Sequence, residues 1–392
     1  MNNLPQAVLV GAGFIGPAHL EALRRLNISV RGLVGTSPEN ARERAAALGI
    51  GHAYSSLEEA LADPFAAVFH IAVPNDLHYP MVKKVLLAGK HVVCEKPLAL
   101  NSQESKDLLD LAERSGSIHA VNYNLRFYPM VREARNYVST GKIGRVFLVH
   151  GSYLQDWLLH GTDWNWRLDP KIGGRLRAVA DIGTHWIDMA CHVTGLKVEA
   201  VLASLSTVHP VRHRPKATIK TYHGNPGNAL ATEELPITTE DVATLLFLFE
   251  GGALGSLVVS QVSAGQKNRL RLEVDGSQSS LSWDSEEPNR LDIGHRDKPN
   301  QVFLKDPQLL SQAAKGYSWY PGGHPEGFPD TFKGLFQQVY TAAAQAPNVR
   351  PEADYPTFED GHTEMVVVDA ILKSAALQTW VTLANFEAGE KL

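Results

Sequence analysis

A chain of 392 residues with 37 basic and 42 acidic side chains carries a formal net charge of −5, which gives no electrostatic reason to expect a nucleic-acid partner. At 44% hydrophobic and 20% charged residues, it fits a soluble globular protein of two domains, with the cytoplasm as its expected compartment. No stretch reaches the roughly 18–20 apolar residues of a membrane span, no cleavable leader is expected from Met1–Pro5, which has no basic residues and runs directly into a strand, and Cys94 and Cys191 are too isolated for a disulfide framework.

The first hundred residues alternate strand and helix. Ala7–Val10 reads as a buried strand, followed by glycines and a helix to about Leu26. Ser29–Gly35 is a second strand, and Pro38–Leu48 is a helix that stops at Gly49. Ser56 caps the next helix, with Glu58 and Glu59 in its first turn. Ala66–Val73 is a strand ending at Pro74; His78–Ala88 is a helix closed by Gly89; His91–Glu95 is a strand. Ser102–Ser115 is helical and Ile118–Tyr123 strand-like. This alternation predicts a doubly wound parallel sheet over residues 1–124.

From 125 to 392 the pattern changes. Helical Tyr128–Val138 precedes strands Arg145–Tyr153, Val198–Val208, Val242–Leu248, Gly255–Val262, Arg269–Asp275 and Ser280–Trp283. Strands without intervening helices predict an α+β domain on a large, mostly antiparallel open sheet. Pro210–Ala229 and Ser285–Pro321 read as polar excursions, and Gly361–Ala376 as a late helix.

Three motifs carry chemistry. In Gly11-Ala12-Gly13-Phe14-Ile15-Gly16, a strand leads through glycines into a helix. Gly11 suits the tight turn, Gly13 the approach of a pyrophosphate and Gly16 close helix packing, the fingerprint of a Rossmann dinucleotide site. About 20 residues on, an acidic residue usually holds the ribose. Here Gly35-Thr36-Ser37 stands instead, so NAD and NADP both remain open. Glu95-Lys96-Pro97 ends a strand, the place where such sheets bind ligands. Pro74, Asn75 and His78 end the preceding strand in the same way and are expected at the nicotinamide ribose or amide, along with Glu95 and Lys96; ordinary turn chemistry is the plain alternative. Asp181, His185 and Asp188, spaced i, i+4, i+7, share one face of a helix. A histidine between carboxylates suits removal of a hydroxyl proton. His185 and the two aspartates could also ligate a metal, but with no third nitrogen or sulfur ligand nearby, and with nicotinamide chemistry able to run on a lysine and a histidine, no metal is assigned.

Between strand and histidine helix lie Tyr153-Leu154-Gln155-Asp156-Trp157 and Trp166-Arg167. Aromatic faces beside polar side chains suit a polyol ring, with core packing as the alternative. The substrate contacts expected are Lys96, Tyr153, Gln155, Asp156, Trp157, Trp166, Arg167, Asp181 and His185. His160 and His324 are expected to be structural or exposed.

The glycine turn, Val73-Pro74-Asn75-x-x-His78, Glu95-Lys96-Pro97 and Asp181-x-Gly183-x-His185-x-x-Asp188 together resemble the Gfo/Idh/MocA oxidoreductases, over essentially the whole chain. The resemblance implies Lys96, Asp181 and His185 as catalytic residues and a cis peptide before Pro97. It also implies a homodimer or homotetramer formed through the open face of the second sheet. Gly151–Trp157 resembles a levoglucosan dehydrogenase-like subgroup that oxidises sugars or anhydrosugars at C3. The reading is an NAD(P)-dependent dehydrogenase of a sugar, glycoside, anhydrosugar or cyclic polyol. Its rivals are a glycosidase that oxidises its substrate transiently and a non-catalytic sensor of the dinucleotide.

Overall fold

The structure, a computed structural model, describes residues 4–216, 232–346 and 352–384. Two compact units divide the chain: Met1–Phe127 with Phe328–Met365, and Tyr128–Gly327 with Val366–Leu392. The division expected from the sequence, 1–124 against 125–392, assigned 328–365 to the second domain; those residues group with the first unit instead.

The first unit alternates β1 (Gln6–Val10), α1 (Gly16–Arg25), β2 (Val30–Val34), α2 (Pro38–Leu48), β3 (Ala53–Tyr54), α3 (Leu57–Ala62), β4 (Ala66–Ile71), α4 (His78–Leu87), β5 (His91–Cys94), α5 (Ser102–Ser115) and β6 (His119–Val121). Its six strands are all parallel, in the order β3-β2-β1-β4-β5-β6. Alternation along β1 sends Val8 and Val10 into a core with Phe69, Ile71, Val92 and Leu108. Leu9 goes to the other face with Leu20, Leu33 and Ala41. Helix starts follow the capping rule: Ser37, Ser56 and Asn101 each accept a backbone N–H from the first turn.

The second unit begins with α6 (Pro129–Ser139) and β7 (Val146–Leu154). After α7 (Pro170–Gly173) comes a π-helical turn, Val179–Gly183, that runs into α8 (Thr184–Thr194). The strands β8 (Val198–Ser206), β9 (Val211–Pro215), β10 (Thr232–Pro236), β11 (Val242–Phe249), β12 (Leu254–Ser260), β13 (Arg269–Gly276), β14 (Ser280–Asp284), β15 (Arg290–Gly294) and β16 (Gln301–Leu304) follow, then α9 (Gln312–Lys315). The chain continues through α10 (Phe328–Gln345), α11 (Phe358–Leu377) and β17 (Val381–Thr382). The large sheet has nine strands in the order β16-β15-β14-β13-β7-β12-β11-β8-β17. Among the described residues its pairs are antiparallel except β7 with β12.

Three expectations need correction. The excursion 285–321 contains β15 and β16, which extend the sheet edge. Part of the excursion 210–229 lies outside the described residues, but its start is β9, which pairs with β10 as a two-stranded ribbon. Helix α10 had no counterpart in the sequence reading.

Candidate functional site

In the first unit the glycines divide by role. Gly11 has φ +91°, and a Cβ there would lie 2.4 Å from the Ala72 carbonyl oxygen. A Cβ on Gly16 would lie 2.7 Å from the Gly11 oxygen. The fold itself therefore requires these two. A Cβ on Gly13 would meet nothing within 4 Å. Its backbone is bare on an open side, as the approach of a pyrophosphate demands. Ile15, just before α1, supplies no side-chain cap, which suits a bound anion at the first N–H groups of the helix. Phe14 is exposed beside them, and the Arg44 guanidinium braces the turn by donating to the Ala12 carbonyl at 2.6 Å. These residues fit a dinucleotide. The Ser37 hydroxyl caps α2 and Thr36 is exposed. Gly35 is a packing glycine, since a Cβ there would lie 2.7 Å from the Ala41 nitrogen.

The ends of β4 and β5 differ from expectation at two residues. His78 is fully buried. Its Nδ1 faces the Pro97 carbonyl at 2.7 Å and its Nε2 the Val73 carbonyl at 3.0 Å. Burial, outweighing the two carbonyls, lowers its pKa. His78 thus ties one strand end to the other instead of presenting its ring outward. Glu95 is also turned inward: its Oε1 accepts from His19 Nε2 at 2.8 Å and from Asn122 Nδ2 at 2.5 Å. Burial pushes the Glu95 carboxyl up, yet the bond and charge of His19 and the nearby Lys96 bring it below its ordinary value. Lys96 is half-buried and its peptide to Pro97 is cis. Asn75 is buried at the start of a short turn after Pro74.

In the second unit Asp181 lies on the π-helical turn, a wide turn common at functional sites. The simple α-helical face drawn through Asp181, His185 and Asp188 therefore holds only for the last two, on α8. All three are buried. The start of this segment is fixed by Glu240, whose carboxylate accepts the backbone N–H of Arg177 at 3.0 Å and of Val179 at 2.8 Å. Both Asp181 oxygens are engaged: Oδ1 accepts from Arg167 Nε at 3.0 Å and Oδ2 from Gln261 Nε2 at 2.8 Å. Arg167 lies 4.3 Å over the Trp166 ring and donates to Asn165 Oδ1 at 3.3 Å.

Gln261 is completely buried and accepts from Arg177 at 3.1 Å. Arg177 and Arg212 converge on Asp241, also buried; the Arg212 bond is 2.7 Å. Burial raises the Asp241 carboxyl, but the two guanidinium charges outweigh it and hold it below its ordinary value. Gln155 and Gln261 follow the same ends of the parallel strands β7 and β12, where Leu154 pairs Ser260. Gln155 is buried; its Oε1 accepts from Trp157 Nε1 at 2.7 Å and its Nε2 donates to Asn268 at 2.7 Å. Tyr153 is buried with its ring 6.3 Å from that of His185.

Of the sequence-named residues, the second unit thus gathers Tyr153, Gln155, Trp157, Trp166, Arg167, Asp181 and His185 into one linked region. Asp156 points elsewhere, to Lys267 at 2.8 Å and the Gly265 N–H. His160 and His324 are exposed. The sequence reading did not name Gln261, Arg177, Glu240, Asp241 or Asn268. Gln261 had one usable signal, a polar amide near the end of the apolar strand expected over Gly255–Val262. Among the described residues no group of three or more His, Cys, Asp or Glu could hold a metal, and no helix is long and apolar enough to cross a membrane.

Comparison with known proteins gives two family matches. A model described as an oxidoreductase family with an NAD-binding Rossmann fold covers residues 6–123, and the GFO/IDH/MocA C-terminal domain covers residues 131–282. Levoglucosan dehydrogenase of Pseudarthrobacter phenanthrenivorans is 30% identical over 396 residues, spanning 97% of this chain and 98% of that protein. A solved levoglucosan dehydrogenase in complex with NADH and levoglucosan gives a TM-score of 0.84 at 28% identity, over 96% of this chain and 99% of its own. An inositol dehydrogenase homolog from Azotobacter vinelandii, complexed with NAD+, shares the fold at 24% identity, with a TM-score of 0.84 over 97% and 98% of the two chains.

Proposed function

We infer the reaction from one premise: the chain belongs to the Gfo/Idh/MocA family of oxidoreductases, as family models match both halves and a 30% identical relative spans 97% of it. In our reading it is a dehydrogenase of a sugar, glycoside, anhydrosugar or cyclic polyol, oxidising a secondary hydroxyl at C3. The observation that carries this is the Asp181 carboxylate, held at both oxygens by Arg167 and Gln261, one turn before the buried His185. Similarity to levoglucosan dehydrogenase supports an anhydrosugar or related ring as substrate. We assign NAD(H), named in the solved relatives, with NADP(H) as the alternative that Gly35 admits.

Gly11, Gly13, Phe14, Ile15 and Gly16 would hold the diphosphate, Thr36 and Ser37 the ribose, and Pro74, Asn75 and Lys96 the nicotinamide end. When bound, the nicotinamide takes up or returns the carbinol hydride. The side chains manage the hydroxyl proton: the Lys96 ammonium polarises the oxygen, His185 accepts the proton and Asp181 orients the pair. Trp157, Trp166 and Tyr153 offer aromatic faces to the ring. Leu246, Leu254 and Val258 stand exposed on one face of β11 and β12, which supports a homodimer or homotetramer through that face.

The test is a panel of anhydrosugars, glycosides and cyclic polyols with NAD and NADP, followed by nicotinamide absorbance and product analysis. Lys96→Ala and His185→Ala should each lower kcat by ~10²–10⁴-fold with cofactor affinity retained. The double variant should fall far short of the product of the two losses. Near-parental kcat in both folded variants would refute the assignment. Net hydrolysis without net cofactor turnover would show the transient-oxidation chemistry instead.

A further inference from the structure

A buried hydrogen-bond chain crosses the first unit, and the chemistry described above does not use it. Tyr340 Oη, from α10, lies 3.0 Å from His70 Nε2 on β4. His70 Nδ1 lies 3.0 Å from His19 Nδ1 on α1. His19 Nε2 lies 2.8 Å from Glu95 Oε1, just beyond β5. His19 and His70 are fully buried and Tyr340 nearly so. Phe332 and Phe336 close around His19, with ring centroids at 5.6 and 5.0 Å.

This chain has two arrangements that differ by one proton. In the neutral one the Tyr340 hydroxyl donates to His70 Nε2, His70 Nδ1–H donates to His19 Nδ1, and His19 Nε2–H donates to the Glu95 carboxylate. With one more proton, His19 is an imidazolium. It then donates through Nε2 to Glu95 and through Nδ1 to His70, and His70 Nε2–H donates to the Tyr340 oxygen. The neutral state leaves no member of the chain without a partner, whereas the protonated one leaves the Tyr340 hydroxyl hydrogen without an acceptor in the chain, which ordinarily costs about 1–3 kcal/mol, so protonation calls for a compensating negative charge such as a bound diphosphate. Adding a proton reverses the Tyr340–His70 and His70–His19 bonds and leaves the His19–Glu95 bond as it was. Burial and the His19 charge keep His70 itself neutral, and burial keeps the Tyr340 phenol protonated.

His19 is also the fourth residue of α1, the helix whose start fits the diphosphate. By α-helical rise it lies roughly 5 Å along the axis from that start. An imidazolium there reinforces the positive helix end toward a dianionic ligand.

We propose that the Glu95–His19–His70–Tyr340 chain is a proton-linked element of the dinucleotide site: binding of the diphosphate draws one proton onto His19, and affinity therefore rises as pH falls. The proposal rests on dinucleotide binding at the glycine turn and is independent of the roles given to Lys96 and His185. The charged and titratable groups facing His19 are Glu95 with Lys96 behind it, His70 and Tyr340. Glu95 in turn acts on Cys94, whose thiol pKa burial pushes up, and on His78, whose pKa burial lowers.

The test uses the whole protein and ADP-ribose, which carries the diphosphate but no nicotinamide and no phosphomonoester that titrates near neutrality. Calorimetry in two buffers of different ionisation enthalpy counts protons taken up on binding. A substantial fraction of one proton should be taken up near pH 7, with Kd roughly three- to tenfold weaker at pH 8 than at pH 6. His19→Phe, which fits the aromatic surroundings, and Glu95→Gln, which removes the counter-charge, should both abolish the uptake. Histidine nitrogen shifts should place the proton on His19. If ADP-ribose does not bind, the cofactor reading itself fails. If it binds with no proton uptake in the parent, or with equal uptake in folded His19→Phe, the proposal is overturned.

Discussion

Gln261→Leu tests the support of Asp181 most directly. Leucine has a similar volume but offers no donor or acceptor. The change removes the 2.8 Å bond to Asp181 Oδ2 and the 3.1 Å bond from Arg177, at a position with no solvent to replace them. Hydrogen bonds to charged groups contribute about 1.5–3 kcal/mol each. Asp181 keeps Arg167, and Arg177 keeps Asp241 and the Glu240 carbonyl. The low end of the sum is therefore appropriate, about 2–4 kcal/mol of stability, read as a lower urea midpoint. If the part lost at Asp181 appears in the barrier, kcat falls about tenfold to hundredfold. The cofactor Kd should stay at the parent value, because the glycine turn is untouched. Steady-state kinetics on the panel substrate with the best turnover and dinucleotide titration measure the two quantities. A folded Gln261→Leu with kcat within about twofold of the parent would refute the argument that this amide holds Asp181.

Two further predictions concern cofactor choice and pH. Gly35→Asp, the obvious route to an NAD-type ribose site, should cost about 1–3 kcal/mol by overpacking, because its Cβ meets the Ala41 backbone. Thr36→Asp, at an exposed position, should instead shift the ratio of NADP to NAD dissociation constants by roughly tenfold toward NAD through charge repulsion with the 2′-phosphate; an unchanged ratio would misplace the ribose site. His70 and His78 are fully buried, and burial holds both below their ordinary pKa. The unfolded chain therefore binds protons that the folded one does not once pH falls below about 6.5. These two residues should remove up to about 1.4 kcal/mol each per pH unit on acidification. Urea midpoints that stay level or rise between pH 7.5 and 5.5 would contradict this.

Local rules made much of the first unit readable. Ser102–Ser115 is bounded by Asn101 and Gly116, and Pro38–Leu48 by Ser37 and a left-handed Gly49, so both helices carry their own stop signals. Lys96 stands out in the sequence by its place at a strand end, and Asp181 and His185 by their local spacing. Glu95 and His78 were misread for a physical reason: a motif locates a residue at a strand end but does not say which way it turns. Their partners, His19, Asn122 and the Pro97 carbonyl, come from other elements. Gln261 follows an ordinary strand, and its importance arises only when β12 lies parallel to β7. The missing acid at Gly35 was visible, but its cause, the Ala41 backbone, is a tertiary contact.

The return of Phe328–Met365 to the first unit has a consequence for biosynthesis. Phe332, Phe336 and Tyr340 cover His19 and His70, yet they leave the ribosome only after the intervening 200 residues. At typical elongation rates of ~5–20 residues per second, that interval is roughly 10–40 s. During it the six parallel strands exist without their closing helix, and two histidines and a carboxylate are open to water. The second unit, most of which lies between these segments, has all but its last strand and the end of α11 in hand by then. Completion of the first unit thus waits on Phe328–Met365, and on a stalled nascent chain residues 4–127 should become protease-resistant only once that segment has emerged.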